Sequence, residues 1–110
     1  MNIDNDIECK KWLYRFMGNT NNDITLIISR YGDLEIDLEL LMQAVEKINT
    51  SSGNVDGKRL YIEMTDKSFG IAKHDFDDGE WITCYRWSEH NGMLGALKEA
   101  IYYIYRESMK

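Results

Sequence analysis

The sequence predicts an α+β fold in which an antiparallel sheet of about four to five strands packs against two to three helices. Three short runs of β-branched and aromatic residues follow one another between residues 60 and 87, separated by turn residues, as in a meander. Amphipathic stretches on either side of these runs would cover one face of the sheet. The chain of 110 residues shows no repeat and no linker. We therefore expect a single domain over residues 1–110, with residues 1–6 frayed.

The first helix is predicted from Ile7 to Met17, with Asp6 as its N-cap and Gly18 as its stop. Apolar residues recur in this stretch at spacings of three and one, which places them on one helical face. Lys10, Lys11 and Arg15 would lie largely on the opposite face. The apolar set comprises Cys9, Trp12, Leu13, Phe16 and Met17.

The next segment is predicted to form a hairpin followed by a helix. Ile24–Arg30 is short and rich in isoleucine, which favours a strand, and Tyr31–Asp33 would form the turn. Leu34–Ile36 alternates apolar and acidic residues, which is typical of a return strand. The same stretch also fits the start of a helical stripe, so the two interpretations compete there. Asp37 is the expected N-cap of a helix that ends near Asn49.

The second half is predicted to be a loop over residues 50–57, the meander and a final helix. The three strands are Leu60–Met64, Phe69–Lys73 and Trp81–Trp87. Because side chains alternate along a strand, Trp81, Tyr85 and Trp87 should share one face and contact the helices. The final helix begins near Met93, and either Ser88 or Asn91 could cap it.

Composition excludes several classes of function. The formal net charge of −6 disfavours direct binding to nucleic acid or to an anionic membrane, because both need a basic surface. No apolar run approaches the roughly 18 residues that cross a bilayer. The polar N-terminus lacks the character of a signal peptide, so we expect a cytoplasmic protein. The two cysteines, Cys9 and Cys84, stand apart and predict free thiols rather than a disulfide or a metal site.

Two clusters of carboxylates are the most distinctive feature of the sequence. The first contains Asp75, Asp77, Asp78 and Glu80. It lacks the closing glutamate of a calcium loop, and its alternatives are a hairpin turn at Gly79 or an acidic tip that binds a partner. The second runs from Asp33 to Glu39 and includes Glu35 and Asp37. It suits either a helix start or an electronegative contact surface.

The remaining candidates are tyrosines and histidines. Tyr102, Tyr103 and Tyr105 cannot all face inward on one helix, so we expect Tyr102 or Tyr103 to be exposed and to join a partner contact. His74 and His90 are expected at the surface. No nucleophile signature surrounds any serine, and Cys84 lies in a predicted strand where a thiol is usually packed and inert. The sequence therefore predicts no enzyme, no cofactor and no metal.

In its size, acidity and α+β pattern the chain resembles bacterial immunity proteins that neutralise nuclease toxins, such as those of contact-dependent inhibition systems. The resemblance implies a small protein that blocks a basic nuclease by direct binding. It includes no shared motif and transfers no residue. The contacts expected on grounds of charge are the two acidic clusters. A phage-encoded inhibitor of a host nuclease, of the anti-CRISPR kind, would look the same.

A homo-oligomeric enzyme or ligand-binding domain is the competing interpretation. Its pocket would lie between the sheet and a helix, with His74 or His90 as the titrating group. A homodimer is compatible with either interpretation.

Overall fold

A computed structural model of the protein describes residues 2–50, 54–55, 58–74 and 79–110, with the backbone alone described at 54–55, 58–59, 74 and 79–80. Two short 3-10 turns, Ile3–Asn5 and Trp87–Glu89, lie before the first and the last α-helix. The main elements, in chain order, are α1 (Ile7–Phe16), α2 (Asn21–Tyr31), α3 (Leu38–Thr50), β1 (Asn54–Val55), β2 (Lys58–Met64), β3 (Ser68–His74), β4 (Gly79–Arg86) and α4 (Met93–Ser108).

The strands form an antiparallel meander in the order β1-β2-β3-β4, so the predicted α+β class is confirmed. β1 has only two residues, which leaves three main strands, fewer than expected. The side chain of Asn49, near the end of α3, helps to explain why the sheet has only three main strands in the described structure. Its amide exchanges two hydrogen bonds with the backbone of Ile62 in β2, at 2.8 and 2.9 Å, where a neighbouring strand would otherwise pair.

The hydrophobic core lies between one face of this sheet and the helices α1, α3 and α4. Phe69 and Ile71 of the central strand β3 are fully buried at its centre. Burial of each such side chain contributes about 1.5–3 kcal/mol. The fully buried residues of α4, which lie on one face of the helix, are Ala96, Leu97, Ala100, Ile101 and Ile104.

The segment predicted as a strand over Ile24–Arg30 is helix α2, and the prediction is wrong. The hydroxyl of Thr20 accepts a hydrogen bond from the Asp23 N–H at 3.1 Å, while the Asp23 carboxylate accepts one from the Thr20 N–H at 3.2 Å. This reciprocal capping box starts a helix, and Gly32, at φ 81, ends it. These local signals prevail over the β propensity of the isoleucines because only Ile24 of α2 is buried.

The return strand predicted over Leu34–Ile36 is also absent from the described structure. This stretch has no regular secondary structure and pairs with no described strand, since the preceding segment is a helix. Leu34 is instead buried as a single anchor. The prediction of Asp37 as a helix cap is confirmed, because its carboxylate accepts a hydrogen bond from the Leu40 N–H at 2.8 Å at the start of α3.

The N-terminal residues are packed rather than frayed, which corrects the expectation for residues 2–6. Ile3 is fully buried in the core. Asp4 pairs with Lys98 of α4 at 3.0 Å, and Asp6 caps α1 by accepting a hydrogen bond from the Cys9 N–H at 3.1 Å. At the start of α4 the cap is Gly92, without a side-chain hydrogen bond, so neither Ser88 nor Asn91 has the predicted role.

A β-bulge changes the face on which Trp81 lies. Ile71 of β3 pairs with Thr83, but the next residue, Ala72, pairs with Trp81, so Ile82 is the extra residue. The bulge shifts the alternation by one residue. Tyr85 therefore shares the core face with its partner Phe69, whereas Trp81 lies on the opposite, outer face and is 55% exposed. The predicted common face for Trp81 and Tyr85 is wrong for this reason.

On the outer face the Trp81 ring covers the central strand at Gly70. A Cβ atom placed on Gly70 would lie 2.0 Å from Cζ3 of the indole. Trp81 thus shields backbone that no helix covers. In the described part of the chain, no helix is long and apolar enough to span a membrane.

The contact between Trp81 and Gly70 predicts a specific energetic coupling. G70A in the wild-type background should lower the free energy of unfolding by about 1–2 kcal/mol, because the new methyl group displaces the indole. In a W81A background the same change should cost nothing, or stabilise by up to about 1 kcal/mol through the loss of glycine flexibility. Urea unfolding of the four proteins measures the difference, and an equal cost in both backgrounds would contradict the packing described.

Candidate binding surface

The segment from Asp33 to Glu39, called here the acidic segment, is an exposed run of carboxylates on a fixed backbone. Leu34 anchors it in the interior. The hydroxyl of Tyr14 in α1 donates a hydrogen bond to the Glu35 carbonyl at 2.7 Å, which holds the chain against α1. The side chains of Glu35, Asp37 and Glu39 are all exposed. The segment therefore presents its charges with little freedom of the backbone to lose on binding.

One carboxylate of the acidic segment is already paired. Lys10 of α1 donates to both oxygens of Asp33, at 3.1 and 2.9 Å. The ammonium group is buried, with the Lys10 side chain 7% exposed, which corrects the expectation that it lies on an open basic face. This hydrogen bond, together with that from the Leu34 N–H, holds the pKa of Asp33 below its ordinary value. Asp33 thus holds the acidic segment on α1 through its ion pair with Lys10.

The other carboxylates keep the local potential negative. Asp37 uses one oxygen to cap α3. Glu39 accepts a hydrogen bond from the Gln43 side chain, at 3.5 Å. The pKa of Tyr14 is raised first by its partial burial and then by the charges of Asp37, Glu35 and Asp33. Of these three carboxylates Asp33 is paired with Lys10, so Asp37 and Glu35 are the two that can act together on a charged partner near Tyr14.

The first acidic cluster falls largely outside the described residues. Asp75, Asp77 and Asp78 lie there, and for Glu80 only the backbone position is described, opposite Lys73 in the β3–β4 ladder. The contact role of these four residues stays a prediction from the sequence. The predicted loop over residues 50–57 likewise lies mostly outside the described residues.

Neither Tyr102 nor Tyr103, of which at least one was predicted to be exposed, is an exposed residue. Tyr102 is buried, with 8% exposure, and its hydroxyl donates a hydrogen bond to the Asp6 carboxylate at 3.0 Å. Tyr103 is half-buried and packs against the core. The expectation that one of the two is exposed is therefore wrong. The helix accommodates its tyrosines because α1 and the N-terminal turn cover a wider part of α4 than the sheet alone would.

His90 lines a polar cleft of about 360 Å³ between the N-terminal turn and α4. Its ring packs edge-on against Tyr85, with ring centroids 5.5 Å apart. The Asp4–Lys98 ion pair forms part of the cleft wall. Among the described residues, no group of three or more histidine, cysteine, aspartate or glutamate side chains is placed to hold a metal ion. The side chain of His74 is outside the described set.

The two cysteines are free, as predicted, but their environments differ. Cys9 is fully buried, and this burial, with a smaller effect from Asp6, raises the pKa of its thiol to about 12. Cys84 is exposed on the outer face of β4, which corrects the expectation of a packed thiol. Cys84 pairs with Gly70 on the outer face of the sheet, and no helix of the described residues covers that face.

Sequence reasoning missed two apolar surfaces. Trp81 and Ile82 are exposed beside the bulge, and Leu26 and Tyr31 are exposed on α2. The capping signal Thr20–Asp23 could have revealed α2, since a Thr with an acidic residue three positions later marks a helix start. No sequence signal marks the bulge.

Comparison of the chain with protein-family models, with curated proteins and with solved structures gave no match.

The different environments of the two thiols predict unequal reactivity. In the native protein, Cys84 should react rapidly with a thiol-specific disulfide reagent, whereas Cys9 should react only as fast as the protein unfolds, because its thiol is protonated and shielded. Counting the released chromophore before and after adding denaturant measures this. The C84S variant, which should show no rapid phase, is the control. Rapid reaction of both thiols in the native protein would contradict the burial of Cys9.

Proposed function

We propose that the protein is an inhibitory binding protein that blocks a basic partner through the acidic segment. The best candidate for the partner is a nuclease toxin, which would make the protein an immunity protein. A host nuclease blocked by a phage-encoded inhibitor is the alternative, and it would use the same chemistry. Glu35 and Asp37 are the residues proposed to pair with lysine or arginine side chains of the partner.

The observation that carries the proposal is the fixed and exposed arrangement of the carboxylates. Three groups around the acidic segment already have their contacts within the protein. Leu34 is buried, Asp33 pairs with Lys10, and the Tyr14 hydroxyl donates to the Glu35 carbonyl. Glu35 has an exposed side chain for which the described residues provide no hydrogen bond or ion pair. Asp37 and Glu39 stabilise the start of α3, but Glu35 lies before the helix and adds repulsion to a chain with a net charge of −6. Binding of a basic partner would offset the repulsion between these carboxylates.

The expected energetics are those of an electrostatically steered complex. Complementary charge accelerates encounter and makes the association rate sensitive to salt. Truncating one member of a desolvated charge pair costs roughly 2–5 kcal/mol, whereas a charge at the rim of an interface costs less. Asp37 should fall nearer the lower figure, because one of its oxygens is already committed to Leu40.

The first experiment identifies the partner by its chemistry. The immobilised protein is exposed to a lysate of the native host at low salt and eluted with rising salt, and the eluted proteins are identified by mass spectrometry. We expect a basic protein with nuclease activity, whose activity falls when the purified protein is added back. Retention of no basic protein at low salt would contradict the proposal.

Substitutions then test the acidic segment against that partner. E35K should weaken binding by about tenfold or more through charge repulsion. D37N should weaken it less, and asparagine still caps α3, so the fold is kept. The matched control is E46K, which makes the same change of charge at an exposed position of α3 two turns or more away. Equal effects of E35K and E46K would show that only net charge matters and would reject this surface.

A further inference from the structure

Helix α2 carries an exposed stripe that differs in chemistry from the acidic segment. Residues 23, 26, 27 and 30 are spaced as on one face of a helix. Leu26 is 67% exposed, Ile27 is half-buried, and Asp23 and Arg30 are exposed at the two ends. We define the α2 stripe as these four residues. Only Ile24 of α2 is buried, and the helix packs on the rest of the protein mainly through α1.

The two charges of the α2 stripe lie on exposed side chains. The Asp23 carboxylate accepts a hydrogen bond from the Thr20 N–H, at 3.2 Å, as half of the capping box, and stays exposed. Arg30 has no ion pair with any described residue. The stripe carries one charge of each sign and is neutral as a whole. A strongly basic or acidic partner would therefore meet one like charge, which separates this surface from the acidic segment.

The α2 stripe is self-complementary when two copies of α2 lie antiparallel. In an antiparallel copy of α2, the level of residue 23 in one helix matches the level of residue 30 in the other, and residue 26 matches residue 27. Each Asp23 would then face an Arg30, and the two Leu26–Ile27 pairs would meet between the ion pairs. Seven residues of helix span about 10 Å, so both ion pairs and the apolar centre fit within α2.

We propose that the α2 stripe binds the α2 stripe of a second copy of this chain, antiparallel and about a twofold axis. Such an axis presents the same patch from both copies, as self-complementary interfaces require. The eleven residues of α2 are about 16 Å long, so the contact is smaller than that of a stable complex, which buries about 1,200–2,000 Å². The dimer is therefore weak and forms at high concentration.

The test uses sedimentation equilibrium from about 10 μM to about 1 mM, where weak dimers become populated. Wild type should associate reversibly. R30E alone and D23K alone should each weaken association by about tenfold, because each homodimer would then contain two like-charge contacts. An equimolar mixture of R30E and D23K should recover association to within about threefold of wild type. In that mixed dimer the new lysine faces the new glutamate, and the unchanged Asp23 faces the unchanged Arg30.

Matched controls separate this contact from general charge and folding effects. R15E makes the same charge change in the last turn of α1, as R30E does in the last turn of α2, and should leave association unchanged. L26E should abolish association through the apolar centre. Circular dichroism of every variant checks that α2 is retained. D23K loses the carboxylate half of the capping box, whereas the Thr20 hydroxyl can still accept the hydrogen bond from the N–H of residue 23.

Three outcomes would overturn the proposal. They are a wild-type protein that stays monomeric to about 1 mM, association that R30E and L26E do not change, and single variants that fail to restore association when mixed. None of these substitutions alters Glu35 or Asp37. The proposal on α2 can therefore fail while the proposed binding of a basic partner stands, and the reverse also holds.

Discussion

In the part of the chain that the structure describes, helices cover one face of the sheet and leave the other uncovered, and the rest of the structure depends on this arrangement. Phe69 and Ile71 on the central strand are completely buried against the packed residues of α4, and α1 and α3 close the sides of this core. Fixing α4 on β3 also fixes the N-terminal turn, because Ile3 lies in the same core and Asp4 pairs with Lys98. The α+β class follows from this single layer pair.

The face of the sheet that the helices leave uncovered is partly shielded by one side chain of the sheet itself. The bulge at Ile82 turns Trp81 outward, and its ring shields Gly70 in the centre of the sheet. A bulge in a strand at the edge of a sheet also makes the edge a poorer template for pairing with another chain. Helix α2 takes little part in the core, since Ile24 is its one buried residue, and several of its side chains are open to an external contact. The acidic segment follows directly after it and is held by Leu34 and Tyr14.

Much of the fold could be predicted because periodicity reports burial. α1, α3, α4 and the three main strands were recognised to within a few residues, since each has one buried face. α2 was mistaken for a strand because its short run is rich in isoleucine, which has a high β propensity, and its cap is the better signal. The outward side of Trp81 depends on one inserted residue, which strict alternation does not reveal. Of the site, the role of Asp37 as a cap was predictable from its position. The burial of Tyr102 was not, because it depends on Asp6, which is distant in sequence.

The two surfaces have different chemistry and therefore different expected occupants: the acidic segment suits a basic protein, and the neutral, self-complementary α2 stripe suits a second copy. The central claim concerns the acidic segment, and amide hydrogen exchange with and without the basic partner tests it most directly. The backbone of residues 35–37 lies outside any described helix or ladder, so its amides should exchange rapidly in the free protein. We predict that the partner slows exchange over residues 35–37 more than elsewhere. Slowed exchange confined to other parts of the chain, with residues 35–37 unchanged, would contradict the account.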